Sequence, residues 1–169
     1  LSIQSKEKRQ TNYKHINKKK MKKLLILTLA VIALGTSAFA DTNKKTSYNG
    51  ASHFSSTFTK AKEVNWSADA NFEKVSFLEN GIKKEVFYTH QGELIGSTKA
   101  FAFDKLPKSA LQTITTKYTY PAFQLEDVIQ FENAEGETSY FVSMDNADMK
   151  IVLEISVFGQ VSVFSKEIK

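Results

Sequence analysis

Residues 149–158 carry an apolar side chain at every second position, and that pattern decides the fold class of the chain. Met149, Ile151, Leu153, Ile155 and Val157 fall on one parity, and Lys150, Val152, Glu154, Ser156 and Phe158 on the other. A period of two belongs to a strand with one face in a core. Similar segments rich in Val, Ile, Phe and Tyr run over Phe72–Leu78, Ile82–Thr89, Glu93–Phe103, Phe123–Glu132, Thr138–Asp145 and Val161–Lys166. A shorter strand is expected around Val64-Asn65-Trp66. The separators Glu79-Asn80-Gly81, His90-Gln91-Gly92, Asn133-Ala134-Glu135-Gly136 and Asn146-Ala147, with the region of Gly159, are hairpin signals. The sheet is therefore expected to be antiparallel.

Two segments change to helical spacing. Ala51, Phe54, Phe58 and Ala61 make one apolar stripe within 51–62. Leu106-Pro107 opens a second helix buried through Leu111, Ile114 and Tyr118, and Pro121 prevents its continuation. A shift of 67 positions superposes 75–99 on 142–166 without a gap. Val75/Val142, Ser76/Ser143, Lys83/Lys150, Gly92/Gly159 and Lys99/Lys166 are then identical, and the apolar phase is kept. The expected fold is α+β with two tandem repeats, about 51–103 and about 106–166. Each repeat is one helix plus three or four antiparallel strands, and the helices pack on one face of the sheet.

The chain also carries an address. Lys22 and Lys23 precede an apolar stretch of eleven residues, Leu24–Leu34, interrupted only by Thr28, and Gly35 and Ala38-Phe39-Ala40 follow. This is the layout of a cleavable signal peptide over 21–40, cut after Ala40, and it is too short to span a bilayer. Residues 1–20 precede a complete signal that begins with Met, and read as untranslated or removed sequence. Residues 41–50 read as a flexible leader and 51–169 as a single domain. The expected location is the periplasm or outside the cell.

Discounting the first 40 residues reverses the charge. They hold nine of the 23 Lys and Arg and one of the 18 Asp and Glu, which leaves 14 bases and 17 acids over 41–169. All 14 bases are Lys, because Arg9 is the single arginine. A mildly acidic domain without Arg lacks the bidentate fork for phosphates and guanines, so no nucleic-acid partner is expected. With no Cys in the chain, stability rests on burial and hydrogen bonding.

Helix one, then Val64-Asn65-Trp66-Ser67, then Phe87-Tyr88-x-x-Gln91-Gly92-Glu93-Leu94-Ile95-Gly96, resembles the small exported PepSY-like proteins. Leu106-Pro107, Ile114 and Lys117-Tyr118 continue the likeness, which covers about residues 51–166. That family is related in fold to the beta-lactamase-inhibitor protein. The resemblance implies a tandem helix-plus-antiparallel-sheet fold and no catalytic centre, and it brings no substrate and no site residues.

Reactive chemistry is sparse. His53 and His90 are the histidines of the mature part, and neither has a ligand-spaced neighbour, so no metal and no cofactor are expected. No nucleophile elbow or Ser-x-x-Lys context in the mature part supports hydrolysis, so the chain is read as not an enzyme. Glu132, Glu135 and Glu137, like Asp145 and Asp148, sit at hairpin tips with irregular spacing and read as solvated. What remains is the strand face opposite the helices. Phe87, Ile95, Phe141, Val152, Phe158 and Phe164 fall there among Lys, Glu and Ser, and the face is expected to be open to solvent. The functional expectation is an exported, inhibitor-like binding module that recognises an envelope protein or peptide through these six residues. The alternative is a periplasmic small-ligand carrier with a cavity between helices and sheet.

Overall fold

A computed structural model describes residues 46–68 and 70–169. The expected signal peptide, the sequence before it and residues 41–45 of the leader lie outside the described residues. Helix α1 (Tyr48–Thr57) leads into β1 (Lys62–Ala68), β2 (Glu73–Glu79), β3 (Ile82–Tyr88) and β4 (Leu94–Ala100). A short 3-10 turn (Phe103–Lys105) and α2 (Lys108–Lys117) follow. Then come β5 (Gln124–Asn133), β6 (Thr138–Asp145), β7 (Met149–Ser156) and β8 (Val161–Ile168).

The tandem-repeat architecture is overturned by the sheet. All eight strands form one antiparallel sheet in the order β1 to β8, with only two helices among the described residues. The deciding contact joins Gly96–Ala100 of β4 to Ile129–Asn133 of β5, across the loop that carries α2. Two separate repeat sheets would leave both of those edges with unpaired N–H and C=O groups, whereas pairing them satisfies both. A 67-residue likeness could not reveal this, because the β4–β5 contact has no counterpart within either expected unit.

Helix α1 starts earlier than its apolar stripe. Ser47 caps it, its Oγ accepting from the Gly50 N–H at 3.3 Å. The Glu73 carboxylate in turn accepts from the Ser47 N–H at 3.0 Å and from its Oγ at 2.8 Å. The helix stops after Thr57, where the Phe58 N–H bonds to Phe54 O. Phe54, rather than Phe58, is therefore its central buried side chain, packing with Val75, Phe77, Val86 and Tyr88. Trp66 stacks on Tyr88 and meets Phe54 edge-on, which places its indole against α1. Under α2, Leu106, Ala110 and Ile114 pack on Val128, Val142, Met144, Ile151, Leu153 and Ile155.

The β3–β4 turn is wedged against the start of α1, and this dictates one residue. Gly92 has φ +83°, and a Cβ there would lie 2.5 Å from the Gly50 nitrogen. Gly81 has a similar φ of +78° but faces open space. Gly81→Ala should cost only the left-handed strain, about 1–2 kcal/mol. For Gly92→Ala we expect at least about 2 kcal/mol, because overpacking against backbone adds to the same strain. Chemical denaturation of the two variants measures the difference, and equal losses would mean that the turn does not bear on the helix.

Candidate functional site

Strand alternation carries the six singled-out residues to different places. Phe87, Phe141 and Val152 are buried, whereas Ile95 and Phe164 are half-buried and pack against them. Phe158 stands apart, 89% exposed in the turn between β7 and β8. Five of the six therefore share one cluster, and the expectation of a solvent-open face fails at its centre.

The burial has a physical source in the sheet itself. The cluster also contains Phe72 from the β1–β2 connection and Ile129 and Phe131 from β5, and among the described residues it takes none from a helix. Phe72 meets Phe87 edge-on at 5.5 Å, and Phe141 meets Phe164 at 5.1 Å. Side chains from six consecutive strands can bury one another only if a twisted sheet wraps around that face. Gly96 makes the room: a Cβ there would lie 2.6 Å from the Phe131 ring. The alternation of Ile129 and Phe131 was visible in the sequence, but the position of Phe72 left no periodic signal.

Charged groups border the aromatic floor in fixed pairs. Lys74 Nζ lies 3.2 Å from Glu85 Oε1, with both side chains about nine-tenths buried. Ser76 Oγ donates to the same oxygen at 3.3 Å. Farther along, Lys150 Nζ lies 2.8 Å from Glu126 Oε2, to which Ser143 Oγ also donates. Burial raises the Asp127 carboxyl above its usual range, and the Val128 N–H and the Lys83 charge oppose that rise. These pairs escaped the sequence reading because their partners lie 11 to 24 residues apart and meet only through register.

The helix side carries a second concavity. A cleft of about 340 Å³ opens beside α1 over β3, β4 and β5. Phe58 and Val86 supply apolar surface to it, and Lys84, Ser97, Lys99 and Glu132 supply polar groups. His53 also reaches it, with Nδ1 2.9 Å from the Tyr88 hydroxyl. Burial pushes the Tyr88 pKa up to about 12, so the phenol is neutral and that contact is no acid–base dyad near neutral pH. His90 lies 4.0 Å from Glu73, within the scaffold that caps α1. No group of three or more His, Cys, Asp or Glu able to hold a metal occurs among the described residues. No helix among them is long and apolar enough to cross a membrane.

No family model matches the chain, and no curated protein does. Solved structures do. A BLIP-like protein of Bacteroides fragilis matches with a TM-score of 0.60 at 16% identity, over 74% of this chain and 87% of that one. A DUF2874 family protein of Bacteroides ovatus matches with a TM-score of 0.61 at 20% identity, over 75% and 89%. A candidate periplasmic protein of Bacteroides eggerthii matches with a TM-score of 0.62 at 14% identity, over 74% and 90%. At these identities the likeness establishes a BLIP-like fold and nothing finer. The PepSY name is not supported by them.

Proposed function

We propose that the chain is an exported, non-enzymatic binding module that holds an envelope protein or peptide against the helix-free face of its sheet. The observation behind this reading is the cluster on that face, a buried aromatic floor with Ile95 and Phe164 half-exposed above it. Apolar anchors ringed by fixed polar groups are the composition of interface hot spots. Phe87, Phe141 and Val152 serve as the floor, and Ile95 and Phe164 make contact. The more exposed ion pair Lys150–Glu126 sets orientation, since charge at a rim gives specificity more than affinity. The BLIP-like fold of the Bacteroides fragilis protein and the periplasmic description of the Bacteroides eggerthii one agree with this reading. The export signal at Met21–Ala40 agrees with it too.

The test uses half-buried residues, so that loss of folding does not mimic loss of binding. Ile95→Ala combined with Phe164→Ala should abolish retention of the partner captured by the wild-type protein from native envelope extract. The melting temperature of the double variant is measured alongside. Phe158→Ala is run in parallel and separates the β7–β8 turn from the sheet face. Unchanged retention by the double variant would remove the face from the binding site.

A further inference from the structure

We infer that the cleft beside α1 is a separate binding site for a small zwitterion with an apolar side chain, either a free amino acid or a dipeptide. The argument begins with charges that the fold leaves unused. Lys84 on β3 stands directly across from Lys99 on β4, two like charges opposed on the helix-side face. Such a pair is unfavourable unless something negative relieves it. Glu79 takes Lys84. Among the described residues the Lys99 side chain has no hydrogen-bond or ion-pair partner, although it is half-buried.

Glu132 lies on the same wall. Lys99 pairs in register with Gln130 and Ser97 with Glu132, so Lys99 and Glu132 are diagonal neighbours on one face. They nevertheless form no ion pair with each other, and the Glu132 carboxylate has no partner among the described residues. An unpaired cation and an unpaired anion therefore line one cleft, with the hydroxyl-bearing Ser97 between them. Phe58, Val86 and Leu94 line the same space with apolar surface.

A ligand that satisfies all three features has a carboxylate for Lys99, an ammonium for Glu132 and an aliphatic or aromatic group for Phe58. The volume of about 340 Å³ limits its size, because ligand pockets begin near 300 Å³ and the smallest suit the smallest molecules. One or two residues fill that volume. This site lies on the opposite sheet face from the aromatic cluster and stands whether or not that cluster binds a protein.

The experiment titrates the full-length mature protein with leucine and with the dipeptide Ala-Leu, by calorimetry and by amide chemical-shift mapping. Saturable binding of at least one is expected, with shifts centred on β3–β5 and α1. Which of the two binds tighter sets the ligand length. Lys99→Gln should weaken binding about tenfold or more, the worth of one charge-assisted hydrogen bond. It should have no effect on Ala-Leu amidated at its C-terminus. Glu132→Gln should weaken binding of the free dipeptide but not of its N-acetyl form. Both substituted side chains are on the surface of the cleft, and Ile95→Ala with Phe164→Ala should leave the titration unchanged. The inference is overturned if neither probe saturates at concentrations on the order of 10 mM. It is equally overturned if Lys99→Gln and Glu132→Gln leave the affinities alone, or if the sheet-face double variant loses them.

Discussion

Phe141→Ala should destabilise the protein by about 3–5 kcal/mol, the cost of removing a buried aromatic ring from a packed core. Phe141 is 1% exposed and lies between Phe131 and Phe164, with ring centroids at 6.4 and 5.1 Å. Phe87 and Val152 complete its surroundings, and no helix among the described residues contributes to that cluster. A urea melt measures the loss from the midpoint at an unchanged slope. A cost below about 1 kcal/mol would mean that the face is open and solvated, as the sequence alone leads one to expect. It would also remove the rigid floor on which Ile95 and Phe164 rest. The prediction thus bears on the fold first and on the proposed interface second.

Leu153→Ala tests the other face of the same sheet. Leu153 is fully buried, pairs with Val142 on β6, and belongs to the core that α2 covers through Leu106, Ala110 and Ile114. Its truncation should cost about 2–5 kcal/mol. Glu154, the next residue, points to the opposite face and has no hydrogen-bonded partner among the described residues. Glu154→Ala should change stability by less than about 0.5 kcal/mol. A larger loss for Glu154→Ala than for Leu153→Ala would show that β7 sits in another register, because a slip of one residue exchanges the faces. With Phe141→Ala also costly, both faces of one sheet would be shown to carry core.

Much of the local structure was legible. The run from Met149 fixed the period and the face of β7, and Leu153 and Ile155 lie in the core as that period requires. Gly-containing turns at Gly81, Gly92, Gly136 and Gly159 all have positive φ, where a glycine belongs. Pro107 stands at the N-cap of α2, and Trp66 packs under α1. Helix α1 was misplaced because its start depends on Ser47, whose capping role is fixed by Glu73, 26 residues away. Local apolar spacing cannot report a contact of that range.

What the sequence determined by itself is therefore the set of elements and the parity of each strand, because backbone geometry ties side-chain direction to a period of two. Tertiary structure alone decided how the strands were joined and what became of the second face. The single sheet follows from the pairing of Ala100 with Ile129 and its neighbours, a choice driven by unsatisfied edges and not by any pattern within one strand. The closure of the aromatic face follows from sheet twist, summed over six strands, and from the absent side chain at Gly96 that lets the Phe131 ring pack close against β4. Parity tells which residues share a face. Whether that face meets water depends on how far the whole sheet has turned, and no single strand carries that information.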